Sequence, residues 1–353
     1  MQPIDINRRE NNFTFIRMIA ASLVIVSHAY DLLKVGYEPF AIISGFDTLG
    51  GLAVSTFFVI SGFLVTASLL RARTGYQYLI NRCLRIFPGL IVVILLSTLV
   101  LGPLLTELTV SDYFTHPHTW SYLKNIYLYD LHHDLPGVFA QLPFAYAING
   151  SIWTLPLEFT AYLCLLLIFL ANGLNSRFIF IFITLLIFTH LKLFDFFGLQ
   201  NTFLFSMHLI QLNKFAIFFF SGVLIYLIKD QIPLNYTLFF CAIGLLIASF
   251  GVSLSFVQAP IIYYITWSYI VIFIAYAPLP LAKYFDKFGD ISYGIYLYGF
   301  PVQQTLIYFH VQEIGFGLFT LIAWLISAIF AFFSWHLVEK QALKLKQSTV
   351  IKI

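Results

Sequence analysis

Residues 17–28, RMIAASLVIVSH, begin on Arg17, end on His28 and are apolar for nearly all of the length between them. On a helix an eleven-residue separation returns both side chains to nearly the same face, roughly 16 Å apart along the axis. The rest of the chain is equally apolar: of its 353 residues 60% are hydrophobic and 10% charged, with a mean hydropathy of +0.89. Soluble domains carry about a quarter charged residues. The chain therefore reads as an all-α polytopic membrane protein, and 17–28 as a membrane helix with two polar groups in one line. Ionisable groups are costly in hydrocarbon, so they tend to face a protein interior or a water-filled cavity and to mark a working site. The plainer reading is a helix-end arginine that snorkels and a hydrogen-bonded core histidine.

Forty Phe and 21 Tyr suit a lipid-facing surface with aromatic belts at the interfaces. Counting apolar runs against a hydrocarbon thickness of about 30 Å predicts about ten helices, near 15–33, 48–70, 86–107, 152–171, 178–193, 213–229, 235–252, 261–280, 291–309 and 316–337. With both termini cytoplasmic, the inner side collects Arg8, Arg9, Arg71, Arg73, Arg82, Arg85, Arg177, Lys229, Lys283, Lys287, Lys340, Lys344, Lys346 and Lys352. The outer side then receives Lys34, Lys124, Lys192 and Lys214, the orientation that the positive-inside rule favours. Residues 1–353 read as one integral-membrane domain without internal repeat and without an extracytoplasmic esterase-like domain. The N-terminal MQPIDINRRENNF lacks the order of a cleavable signal peptide, so the first apolar run is expected to stay as a helix. Cys83, Cys164 and Cys241 have no paired spacing, which points neither to a disulfide framework nor to a zinc site. A net charge of +3 says little about partners, and no nucleic-acid partner is expected.

Two polar insertions interrupt the apolar runs. The inner connection 71–85, RARTGYQYLINRCLR, is short and basic; the outer one, about 108–151, is the longest and is rich in His, Asp and aromatic residues. A long structured loop in a compact protein is usually functional. Trp120 and Tyr122 there could offer flat aromatic faces to a ligand, against an interfacial aromatic belt as the alternative. His116 and His118, or His132, His133 and Asp134, would be the residues of a metal site, a reading that lacks any cysteine to support it.

Arg82 and Arg85 stand one turn apart, forked donors suited to a phosphate-bearing ligand or simply positive-inside anchors. Gly51, Ser55 and Gly62 share a helix face, which allows close helix approach or room for a thin ligand. In 149–159, NGSIWTLPLEF, Ser151 can cap a helix and Pro156 is tolerated in its first turn. Glu158 then falls roughly 10 Å below the outer surface by the helical rise, at the depth expected for His28. A carboxylate beside an imidazole fixes its tautomer and supports it as a general base.

These motifs occur in order: Arg17 to His28, then 57–64 FFVISGFL, 82–88 RCLRIFP, 153–158 WTLPLE, 291–298 ISYGIYLY and the tail Val338-Glu339-Lys340. Together they resemble the integral-membrane acyltransferase 3 family. The resemblance implies about ten membrane helices and transfer of an acyl group, commonly acetyl, from an acyl-coenzyme A donor on the cytoplasmic side. The acceptors it implies are hydroxyls of cell-surface polysaccharides or their lipid-linked precursors, in a bacterial inner membrane. It makes His28 the essential histidine with Arg17 as its companion, and Arg82 and Arg85 the donor-side pair, with Arg17 counted among the donor-binding residues; Trp153 and Glu158 belong to a further shared motif, and Glu158 is, by its depth, the candidate carboxylate for His28. Trp153, Trp120 and Tyr122 are then candidates toward the acceptor. Acetyl-CoA is a substrate; no permanently bound cofactor and no metal are expected. Membrane lipids are the surrounding partner, and a homo-oligomer is allowed. Where relatives carry a histidine after the Tyr-Leu of 291–298, this chain has Tyr298 and Gly299, so that position receives no catalytic role. An acyl-histidine intermediate would use the same His28. The rival class is a transporter or flippase, which would also show a midplane histidine and charged mouths.

Overall fold

The computed structural model describes residues 10–250, 259–280 and 282–350. Of the basic residues counted above, Arg8, Arg9 and Lys352 lie outside them, as do the last two residues of the helix expected over 235–252.

Ten helices of more than a dozen residues occur among the described residues. They are α1 Phe13–Leu33, α2 Leu49–Arg71, α3 Gly75–Leu96, α4 Thr154–Leu170, α5 Ser176–Phe188, α6 Leu209–Leu227, α7 Tyr236–Ser249, α8 Ala259–Tyr276, α9 Ser292–Tyr308 and α10 Phe316–Ser334. The β structure among the described residues is one antiparallel pair, Phe203–Leu204 with Met207–His208, and one isolated bridge between Thr106 and Val138. Among the described residues six helical stretches are long and apolar enough to cross a membrane, and 154–170, 236–249 and 260–276 are shorter apolar helices. The protein is thus an all-α integral membrane protein.

The starts of several helices follow from their caps. Thr48 accepts from the backbone N–H of Gly51 at 2.9 Å, Asn175 from that of Phe178 at 2.9 Å and Asn235 from that of Leu238 at 2.8 Å, each satisfying a donor that the first turn leaves unpaired. The chief departure from expectation is α3, which begins at Gly75 rather than near 86. Apolar runs mark the part of a helix that hydrocarbon can surround, whereas arginine is a good helix former, so the basic connection is largely the first turns of α3. Three helices run on through π turns, at Ser97–Leu101, Thr189–Leu193 and Trp335–Glu339.

The chain forms two compact units. The first comprises residues 1–20, 38–75 and 157–287, and its centre is the α2–α6 pair. A side chain at Gly62 would run into the carbonyl of Phe219, and one at Gly222 into that of Val59. The two glycines thus let backbone meet backbone, as small residues do in membrane helix pairs, which decides Gly62 in favour of packing. Ser55 is fully buried on the same helix, and Gly51 lies against the carboxylate of Asp47.

The second unit comprises residues 21–37, 76–156 and 288–353. Its core gathers Ala29 and Leu32 of α1, Ala147, Phe300 and Ile307 of α9 and Phe319 of α10. Gly294 of α9 faces Ala331 of α10. The long connection is ordered by short helices at Val110–Thr115 and Pro117–Ser121. Asn125, fully buried, closes it by donating to the carbonyls of Tyr122 and His132 and accepting from the N–H of His132. Gln304 of α9 donates to the carbonyls of Phe144 and Ala147, which ties the end of the connection to the helix bundle.

Candidate active site

In the second unit His28 is half-buried on α1. Its ring meets the edge of Phe300 at 5.2 Å between centroids and 81° between planes. Phe300 in turn lies over Gly150, where any side chain would strike the ring. The Nδ1 atom of His28 is buried without a hydrogen-bond partner among the described residues. One turn along α9, the fully buried Gln303 donates its Nε2 to the carbonyl of Ile25 at 2.9 Å. Gly299 packs against Ile25. A neutral imidazole donates from one nitrogen and accepts at the other; here the ring packs edge-on against Phe300 and its Nδ1 is left unbonded.

The two candidate arginines differ in their surroundings. Arg85 is ion-paired with Asp290 at 2.7 Å, at side-chain exposures of 21% and 15%, and stands over the ring of Tyr293. Asp290 also accepts from Ser292. Glu339, 2% exposed in the π turn after α10, accepts from Ser334 at 2.9 Å and lies within electrostatic reach of both Arg85 and Asp290. Two carboxylates therefore attend the Arg85 charge. Arg82, one turn earlier, stands over the ring of the buried Tyr78 at 5.9 Å.

In the outer connection Trp120 is 46% exposed, and its indole N–H donates to the carbonyl of Phe114. Tyr122 differs from expectation: it is 1% exposed, its ring is spent on packing the connection, and it offers no open face to a sugar. Trp153 is half-buried in the turn that leads into α4. Ser151 does not cap that helix, which starts at Thr154; its carbonyl accepts the hydroxyl of Tyr296 at 2.6 Å. His118 pairs with Asp134 at 2.9 Å and His132 approaches Asp130 at 3.3 Å. Burial pushes the pKa of His133 down from its ordinary value, Asp134 opposing the shift and His132 adding to it. Among the described residues no group of three or more His, Cys, Asp or Glu is arranged to hold a metal ion.

In the first unit, Arg17 lies on the first half of α1 and is half-buried. Glu158 is half-buried on α4, and its Oε1 accepts from Ser61 of α2 at 2.7 Å and from the phenol of Tyr162. The carboxylate is thus fixed as an acceptor. The first unit also holds a buried ion pair that the sequence reading did not foresee, Lys214 of α6 with Asp47 at 2.9 Å, with side-chain exposures of 15% and 5%.

Sequence reasoning missed Asp290, Glu339, Gln303 and Tyr162. Two left a signal: Tyr162 is four residues from Glu158, one helical turn away, and Gln303-Gln304 is a pair of amides inside a membrane helix. Glu339 stands in the tail motif, but its approach to Arg85, like that of Asp290, is a contact between residues distant in sequence.

The acyltransferase domain family matches residues 10–338. The O-acetyl transferase of Shigella phage Sf6 is 31% identical over 341 residues, 95% of this chain and 96% of the relative. Nodulation protein 10 of Rhizobium leguminosarum bv. viciae is 36% identical over 162 residues, 44% of this chain and 43% of that protein. No solved structure matches the chain significantly. With an ordered set of motifs and a family match along nearly the whole length, the chain belongs to the acyltransferase 3 family of integral-membrane acyltransferases.

Proposed function

We propose that this acyltransferase is an O-acetyltransferase that moves an acetyl group from acetyl-coenzyme A to a hydroxyl of a cell-surface polysaccharide or its lipid-linked precursor. The observation that carries this reading is the similarity to a phage O-acetyl transferase along 95% of the chain. His28 is the general base. Its Nε2 takes the proton of the acceptor hydroxyl as the oxygen attacks the thioester carbonyl; the C–S bond then breaks, and the imidazolium returns the proton to the departing thiolate. Ester and thiol are formed, and no co-reactant is needed. Arg82 meets the donor's phosphates, and Arg17 and Arg85 belong to the same donor side. Trp153 and the exposed Trp120 contribute to the acceptor. The enzyme works in a bacterial inner membrane with ten crossings and both termini in the cytoplasm.

The test is acetyl transfer by purified protein given acetyl-coenzyme A and a bacterial surface polysaccharide, read as thiol release and ester formation that both require the acceptor. His28→Gln, which hydrogen-bonds but takes no proton at neutral pH, is expected to lose at least about 10²-fold in rate. Glu158→Gln, read beside it, shows whether that carboxylate takes part. A protein that moved lipid-linked glycan across vesicles and released no thiol would be a transporter instead.

A further inference from the structure

In the second unit a cavity of about 470 Å³ lies between the end of α3, the π turn that continues it, α9 and α10. Its size is that of a ligand pocket, for which roughly 300–1,000 Å³ is usual. The cavity is long: one wall follows α9 from Tyr298 to Phe309 at its end, about 16 Å at the helical rise, or half of a hydrocarbon thickness of about 30 Å. At one end Val93 and Tyr298 are buried; at the other, beside the long connection, Leu104 and Phe309 are exposed. It is thus a cleft closed at one end and open at the other. The π turn Ser97–Leu101 forms part of the wall, and single π turns within helices recur at functional sites. Among the described residues no charged side chain lines the cleft. Its three hydroxyl-bearing residues have partners in the protein: Thr305 donates to the carbonyl of Pro301 at 2.7 Å, Tyr298 lies in reach of Ser334 and Ser97 in reach of Tyr122. A sugar, a phosphate or the polar arm of coenzyme A would be desolvated here without hydrogen bonds in return, which is costly. A hydrocarbon chain needs none.

We propose that this cleft binds the hydrocarbon tail of a lipid-linked glycan acceptor. Under the O-acetyltransferase reading, on which the assignment rests, the substrate is then the lipid-linked precursor rather than the finished polysaccharide. The direction of the cleft selects this occupant. Arg82 and Arg85, on the donor side, precede Val93 on α3 and so stand toward the closed end, where the chain of a long acyl donor would meet a wall. The open end adjoins the connection that carries Trp120. Helix α9 is the partition between cleft and histidine, because its 3.6-residue period sorts its side chains to two faces. Tyr298, Pro301 and Val302 line the cleft, while Gly299 and Phe300 turn to Ile25 and His28 of α1. A tail in the cleft is thus held about one helix diameter, roughly 10 Å, from the histidine, which raises the effective concentration of its sugar there.

The experiment uses the full-length protein in phospholipid nanodiscs, irradiated with a sugar on a polyprenyl diphosphate whose tail bears a diazirine. Cross-links are expected within 93–105 and 298–309, and an excess of the same compound without the diazirine should suppress them. A phospholipid with a diazirine in its acyl chain should lose its labelling of these peptides when that compound is added. Phospholipid labelling that is not displaced would make the occupant a resident membrane lipid and overturn the proposal, as would tail cross-links confined to other helices. Kinetics give a second readout. Val302→Trp fills the cleft, and Leu104→Trp narrows its exposed mouth without loading the core, so the second is read if the first does not fold. Each should raise KM for the lipid-linked acceptor at least about fivefold, the lower end of what overpacking costs, with KM for acetyl-coenzyme A nearly unchanged. Leu167→Trp, on an exposed face of α4 in the first unit, should change neither. A wild-type acceptor KM in folded Leu104→Trp and Val302→Trp overturns the assignment. If the tail labels the cleft while no thiol is released from acetyl-coenzyme A, the cleft stands and the acetyltransferase reading falls.

Discussion

Removing Lys214 leaves Asp47 as an isolated charge inside the first unit, and the structure sets the size of the effect. The ammonium is 2.9 Å from the carboxylate, and the two side chains are 15% and 5% exposed. Asp47 Oδ1 also accepts the backbone N–H of Thr48 at 3.0 Å. Breaking a buried pair by deleting one partner costs about 3–5 kcal/mol, because the remaining charge keeps its desolvation penalty. For a unit of roughly 190 residues that corresponds to a drop in melting temperature of about 6–20 °C, at 2–4 °C per kcal/mol. Lys214→Met should show this drop by scanning fluorimetry in detergent, and Asp47→Asn a drop of the same order. The double variant should regain most of it, since an apolar or neutral pair of similar volume is often neutral or stabilising relative to a buried ion pair. A Lys214→Met protein that melts within about 2 °C of wild type would refute the reasoning: the pair would then behave as a solvated one, worth about 0–1 kcal/mol.

Arg82→Ala and Arg85→Ala should separate. Loss of one charge-assisted bond to phosphate, about 1.5–3 kcal/mol, predicts a 10- to 150-fold rise in KM for acetyl-coenzyme A for Arg82→Ala, measured by thiol release. Arg85→Ala strands Asp290, so its main effect should be a lower yield of monodisperse protein. His133 has its pKa held below the ordinary 6.5 by burial, so the unfolded connection binds more protons than the folded one at acid pH. Stability of the connection is full above 6.5 and is lost as pH falls below it; hydrogen exchange over 106–151 should rise with acid, and His133→Phe should flatten the rise. Gly62→Val drives a side chain into the Phe219 carbonyl and should abolish the folded monomer in gel filtration, while Gly244→Val, with open space around it, should not.

Much of the molecule is legible without coordinates because membrane helices are specified locally. Apolar runs had to find lipid or one another, and the runs near 15–33, 48–70, 152–171 and 291–309 recur as helices within two residues at each end. The catalytic class was legible for a similar reason: Arg17, His28, Arg82, Arg85, Trp153 and Glu158 stand in an order that names a family before any distance is known. What each of these side chains touches was not legible. Arg85 looked like an anion receptor beside Arg82 until the turn before α9 brought Asp290, 205 positions away, to its guanidinium. Tyr122 looked like a sugar platform because aromatic residues in a long loop read alike from sequence; burial of its ring is decided by how the connection folds around Asn125. That Glu158 accepts from Ser61 and Tyr162, and that the Ile25 carbonyl of α1 accepts from Gln303, has no trace in the local sequence. Sequence determined which segments are helices and which chemistry they carry, since hydropathy and helix propensity act over a few turns. Partner choice among polar groups was left to the tertiary structure, because in a low-dielectric interior each donor and acceptor must find its complement across helices, and that pairing has no local signature.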